Sequence, residues 1–165
     1  MALQLSTCPV SSEELVQRAH AYHQTLLAAN VRLTTPPVSR LRLVSVTPTA
    51  SKGDRITSAT VAFSFTVEPS DCNAWSTIHG GCVFTLCNAA GKIATAVVAA
   101  GARNVVSTDL TTNYLAAVSQ GATVSIEIEC LRVTKSIGFV RGTIKDAQGV
   151  LCYVCVQNVS FDLDL

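Results

Sequence analysis

The chain has 165 residues, enough for one domain with a substantial core. Its net charge of +1, with no basic stripe interleaved with aromatics, excludes a protein that wraps nucleic acid. Hydrophobic residues make up 48% and charged residues only 14%, a balance that implies surface covered by a partner subunit.

Ser11-Ser12-Glu13-Glu14 has the form of a capping box, and Leu15, Ala19, Tyr22 (or His23) and Leu26 follow at helical spacing. A helix is therefore expected over 12–29, within an N-terminal extension of about 11–35. His20 and His23 lie on it with no Cys or acidic partner spaced for metal ligation, and read as exposed or edge-packed residues. Pro36-Pro37 is expected to end this unit. Leu41–Val46 and Ile56–Val67 alternate like strands, joined by the turn at 50–54. Residues 68–78 read as a loop. From Cys82 to Ala100 the chain is apolar nearly all round, as expected of a helix wrapped by other structure, and Gly101 terminates it. Asn88 and Lys92 interrupt this run, which argues against a membrane span or membrane insertion.

Four more strands are expected at Val105–Leu115, Ala122–Val133, Ile137–Asp146 and Val150–Leu163. The turn Asp146-Ala-Gln-Gly149 makes the last two a hairpin. Val124, Ile126, Ile128 and Cys130 alternate with Ser125, Glu127 and Glu129, so that strand has one wet face. This order predicts an α+β fold in one domain over 1–165. An antiparallel sheet of about six strands wraps one long central helix, with a further helix at the N-terminal side.

The seven cysteines are odd in number and lack framework spacing. Cys152-x-x-Cys155 falls on a strand, where positions i and i+3 face opposite sides, and no second pair completes a zinc site. No metal or other cofactor is expected. Free buried thiols imply a reducing compartment, and residues 1–17 carry no Lys or Arg as a typical transit or secretory segment would. The cytoplasm is the expected location, with mitochondrial association left open.

The chemistry concentrates in Asn73-Ala-Trp-Ser-Thr-Ile-His79-Gly80-Gly81, which runs directly into the central helix. A helix start with two glycines offers unpaired N–H groups and the positive end of the dipole to an approaching carbonyl oxygen. That arrangement can stabilise an oxyanion in acyl transfer. On helical spacing Gly81, Thr85, Asn88, Lys92 and Thr95 share one stripe. Lys92 is read either as pairing with a strand or solvent, or as a contact for an anionic acyl group.

With the strand run Val106-Ser107-Thr108-Asp109-Leu110-Thr-Thr-Asn-Tyr114, this organisation resembles the hotdog-fold thioesterases over roughly residues 40–160. The closest likeness is to the phenylacetate-degradation and thioesterase-superfamily-member-2 type. The resemblance implies hydrolysis of an acyl-CoA thioester, in lipid metabolism, by a homodimer or a dimer-of-dimers homotetramer. By the same likeness, Gly81 and its neighbour Gly80 polarise the thioester carbonyl while His79 holds the turn. Asn73 positions water or thioester, and Ser107 of a partner subunit hydrogen-bonds the catalytic carboxylate or water.

The family carries that carboxylate nine residues after the His, where this chain has Asn88. An amide orients a water but takes no proton from it. Asp71, in the loop, and Asp109, expected on the same strand face as Ser107 because positions i and i+2 agree, are alternative acids; their structural readings are a loop cap and an ion-paired or backbone-bonded side chain. Arg132, Lys135 and Ser136 are candidate contacts for the CoA phosphates, or simply turn residues, with Arg103 and Asn104 as a second option. Cys82 and Cys87 lie near the site, but a nucleophilic Cys needs a base beside it. Three functions follow from the fold: an acyl-CoA thioesterase, an acyl-CoA-binding protein that has lost hydrolysis through Asn88, or a dehydratase or hydratase, for which no matching His-acid arrangement is present.

Overall fold

A computed structural model describes residues 10–28, 35–52 and 55–163. Helix α1, Ser12–Ala28, begins where the Ser11 hydroxyl accepts from the Glu14 N–H at 3.1 Å, the Ser half of the expected capping box, while the Glu14 carboxylate pairs with Arg18 at 2.6 Å. Leu15 and Ala19 turn into the core, and His23 is buried at the edge with Nε2 2.8 Å from the Val38 carbonyl. His20 is exposed. Pro36-Pro37 does not end the unit but sits in a short second helix, α2, Thr35–Ser39. Proline is tolerated in a first turn, where its missing N–H has no acceptor to lose.

Six strands follow, β1 (Arg42–Lys52), β2 (Arg55–Thr66), β3 (Ala102–Tyr114), β4 (Thr123–Val133), β5 (Ile137–Lys145) and β6 (Leu151–Leu163). They form one antiparallel sheet in the order β1-β2-β4-β5-β6-β3. The tip of the expected β1–β2 turn, residues 53–54, lies outside the described residues. A helix, α3 (Gly80–Val98), connects β2 to β3 and lies against the concave face of the sheet.

The period-two pattern decides which residues meet α3. On β2, Ala59, Val61, Phe63 and Phe65 face inward, and on β4 Val124, Ile126, Ile128 and Cys130 do, all essentially inaccessible. They close on Val83, Leu86, Cys87, Ala90, Ile93, Ala94 and Val97 of the helix. Each large side chain so buried contributes about 1.5–3 kcal/mol. Glycine lets the helix approach β5 closely, because a Cβ at Gly138 would come within 2.6 Å of Thr95 Cγ2. The apolarity of α3, long enough to cross a membrane by composition, is thus accounted for by burial beneath the sheet. Arg18 of α1 reaches the far end of α3, donating from Nη1 to the Val97 carbonyl at 3.4 Å.

Strand β3 lies at one edge of the sheet and β1 at the other. A bulge in β3 sets two residues, Thr108 and Asp109, against one step of β6, between the pairs Ser107–Val159 and Asp109–Asn158. The bulge shifts the alternation, so Ser107 and then Leu110 turn inward while Asp109 is exposed.

Candidate active site

The start of α3 is built by His79. It occupies the N-cap with extended backbone (φ −68°, ψ 136°), and its Nδ1 accepts from the Gly81 N–H at 2.9 Å. The N–H groups of Cys82 and Val83 both donate to the His79 carbonyl, at 2.9 and 3.2 Å. The first-turn donor left without an acceptor among the described residues is therefore Gly80, one of the helix-terminal neighbours expected beside Gly81. The His79 ring thus holds the turn through the Gly81 N–H. Tyr114 of β3 fixes the same turn, its hydroxyl donating to the Gly80 carbonyl at 3.0 Å. A Cβ at Gly80 would stand 3.3 Å from that ring.

The loop before α3 uses its own polar groups. Asn73 Oδ1 accepts from the Trp75 N–H at 2.9 Å and the Thr77 N–H at 3.3 Å, and Nδ2 donates to Thr77 Oγ1 at 2.9 Å. Asn73 thus shapes the loop that leads into α3. Asp71 is buried, paired to both nitrogens of Arg40 (3.0 and 2.5 Å), and accepts from the Glu68 N–H at 2.8 Å. The loop-cap reading of Asp71 fits, and its carboxylate is committed. Its carbonyl accepts from the His79 N–H at 2.7 Å, which ties the loop to the helix start.

Two helical turns on, Asn88 meets Ser107 of the same chain, whose hydroxyl donates to Asn88 Oδ1 at 2.5 Å. Within one chain the two meet because β3 returns alongside α3 through the inward phase of Ser107. A third residue completes the cluster. Gln157 of β6, fully buried, donates from Nε2 to Ser107 Oγ at 2.5 Å and to Asn88 Oδ1 at 3.2 Å. Its Oε1 is buried without a partner and faces Gly91, where a Cβ would overlap it. Sequence reasoning missed Gln157. The available signal was a polar residue in the inward row Tyr153, Cys155, Gln157, Val159 and Phe161, matched by a lone glycine inside α3. The cluster holds two amides and a hydroxyl and no group that titrates near neutral pH.

Asn88 is half-buried and lines a cleft of about 650 Å³ between α1, α2, α3 and the start of β3. Thr85 and Lys92 of the expected stripe share this wall, and Thr85 also borders a smaller cleft of about 370 Å³ beside His79 and Gly81. Thr95 leaves the stripe; it is buried against Gly138, its hydroxyl bonded to the Gly91 carbonyl at 3.0 Å. Burial lowers the pKa of Lys92 from the ordinary lysine value. Arg103 and Asn104 line the larger cleft, whereas Arg132, Lys135 and Ser136 are exposed around the β4–β5 turn and border neither of these two clefts. Thr134 Oγ1 organises that turn by accepting from the N–H groups of Ser136 and Ile137.

Neither thiol near the site is an activated nucleophile. Burial pushes the Cys82 thiol up to about 12. Cys87 is buried beside Cys155, and the thiol contact with burial raises its pKa as well. Cys152 is bonded elsewhere, its Sγ donating to the Val150 carbonyl at 3.3 Å. No cluster of three or more His, Cys, Asp or Glu suited to a metal ion occurs among the described residues.

A long helix cradled by one six-stranded antiparallel sheet, with a capped glycine turn at its start, is the hotdog fold. Residues 76–153, from the loop to the start of β6, match the family model described as Thioesterase superfamily, and the resemblance read from the sequence is borne out. The zebrafish thioesterase superfamily member 2 is similar at 20% identity, covering 92% of this chain and 98% of that one, with a TM-score of 0.69. The Escherichia coli PaaI protein of the phenylacetic acid degradation operon is 19% identical over 91% and 94% of the two chains, with the same TM-score. A hypothetical thioesterase from Streptococcus pneumoniae, solved with coenzyme A, is 16% identical over 84% and 98%, with a TM-score of 0.68. A search of curated proteins by sequence returns no match.

Proposed function

We propose that this chain binds acyl-CoA and hydrolyses its thioester slowly, with Asn88 in place of the helix carboxylate. The observation that carries the reading is the Asn88–Ser107–Gln157 cluster, which reaches the wall of the 650 Å³ cleft through Asn88. Polar side chains running from a cleft wall into an apolar interior are costly unless they serve a ligand or satisfy one another, and the buried Gln157 Oε1 is left unsatisfied. The coenzyme A held by the pneumococcal neighbour supports the choice of thioester.

The reaction adds a water oxygen to the thioester carbonyl carbon. Charge collects on the carbonyl oxygen, where a helix-terminal N–H such as that of Gly80 stabilises it. The C–S bond then breaks, and the water's proton ends on the departing CoA sulfur. Asn88 orients the water but does not take its proton, a deficit of about 10²–10⁴ in rate.

The free N–H at Gly80 and the amide at Asn88 are eight residues apart, about 12 Å along the axis of α3. One thioester does not span both within a single chain. A second copy, meeting the first along the β3 edge, supplies the missing half in this reading. Exposed Val106, Tyr114 and Leu115 on and just beyond that edge support such a homodimer, and a dimer of dimers extends it. Arg132, Lys135, Ser136 and Arg103 remain candidate contacts for the CoA phosphates.

A second reading, an acyl-CoA-binding protein without hydrolysis, is favoured by the absence of any ionisable group in the cluster. Hydrolysis of short, medium, long and aromatic acyl-CoAs, followed by thiol release, with binding measured in parallel, separates the two. Turnover by the wild type supports the enzyme. Tight binding without turnover supports the binding protein, and neither binding nor turnover overturns both.

A further inference from the structure

The 650 Å³ cleft has an uneven charge. Tyr22, Leu26, Leu27, Val38 and Val105 make most of its wall apolar, and no carboxylate lines it among the described residues. Its two formal charges are Lys92, in the C-terminal half of α3, and the exposed Arg103. Lys92 is the sole charged residue of α3 and has no hydrogen-bond or ion-pair partner among the described residues. A half-buried ammonium facing an apolar cleft costs solvation that a bound anion offsets. Burial lowers its pKa, which agrees with that unpaid desolvation.

Its position along the helix sets a length. Lys92 stands one turn beyond Asn88, about 6 Å along the axis. With C–C bonds of about 1.5 Å in a zigzag, an acyl chain of roughly five carbons covers that distance. An unbranched hydrocarbon tail would leave the ammonium facing methyl groups. A terminal carboxylate would meet it directly.

We propose that this cleft selects acyl groups ending in a carboxylate, an ω-carboxyacyl thioester of about five carbons, with the Lys92 ammonium as counter-ion. The inference rests on the acyl-CoA reading above and names its substrate class. Replacing the helix carboxylate by Asn88 belongs to the same logic, since an aspartate one turn away would compete for Lys92 and repel the ligand's own charge.

The test is isothermal titration with non-hydrolysable thioether analogues of CoA at about physiological salt. One carries a five-carbon chain ending in a carboxylate, one the same chain ending in a methyl, and free CoA is the reference. The carboxylate analogue is expected to bind at least tenfold more tightly than the methyl analogue, the usual scale for a charge-assisted contact. Lys92→Met removes the difference, and Lys92→Arg, which keeps the charge, retains most of it. Equal binding of the two analogues by the wild type overturns the selectivity while leaving the acyl-CoA reading intact. Failure of all three ligands to bind overturns that reading, and the selectivity with it.

Discussion

Gly91→Ala tests the buried amide cluster without touching a polar group. On helix propensity alone the change adds about 1 kcal/mol of stability, since glycine is that much worse than alanine inside a helix. The structure predicts the opposite sign. The new Cβ would overlap Gln157 Oε1, stand 2.9 Å from its Cδ and 3.2 Å from Val140 Cγ2. Gln157 has no free direction in which to retreat, because it is fully buried and its Nε2 is held by Ser107 and Asn88. Displacing it breaks those bonds and leaves a buried donor, about 1–3 kcal/mol. Crowding a packed core adds about 1–3 kcal/mol more. After subtracting the propensity gain, the expected net loss is about 1–5 kcal/mol. Urea unfolding should show a lower midpoint with an unchanged slope. In a double-mutant cycle with Gln157→Ala, Gly91→Ala should cease to destabilise and recover its helix-forming benefit. A Gly91→Ala protein as stable as the wild type, or more so, would refute the placement of Gln157 beneath the helix.

Two further outcomes follow from the same geometry. Asp71→Asn keeps the shape of the loop cap but removes the charge that pairs with Arg40, and should cost about 1–3 kcal/mol in thermal unfolding. Because Asp71 is committed to that pair, hydrolysis at temperatures where the variant is folded should not fall; a large loss of turnover would restore Asp71 as the base. Stability should also decline in alkali. Burial raises the Cys82 and Cys130 thiols from an ordinary 9.0 to about 12, and the Tyr22 hydroxyl from 10.0 to about 12. The folded chain then binds more protons than the unfolded chain between the two values, so this stability is complete below pH 9 and is lost as pH rises toward 12. Unfolding midpoints that stay flat from pH 9 to 11 would contradict that burial, as would rapid alkylation of Cys82 in the native protein at pH 8.

The architecture was legible in the sequence because its signals are periodic. The alternation in β2 and β4 and the all-round apolarity of α3 each reflect repeated burial, and both reappear in the structure. The site was less legible because its decisive features are single events. The β3 bulge breaks the rule that residues two apart share a face, so Asp109 leaves the face of Ser107. The His79 ring takes the Gly81 N–H, a contact that depends on backbone angles at the cap and shifts the free donor to Gly80. Asn73 satisfies itself on Thr77, which motif spacing does not reveal. Gln157 lies 69 residues from Asn88 and joins it only because β6 lies beneath α3.

The measurement that bears most directly on the central claim is acyl-CoA hydrolysis by the wild type and by Asn88→Asp, with unfolding midpoints to confirm that both are folded. Ser107 and Gln157 are already placed to donate to an oxygen at this position, so a carboxylate should be received without rebuilding the site. The account predicts slow hydrolysis by the wild type and a gain of about 10²–10⁴ in kcat on restoring the base. Wild-type hydrolysis at the full rate of a carboxylate-bearing enzyme, unchanged or lowered by Asn88→Asp in a folded protein, would contradict it and place the chemistry elsewhere.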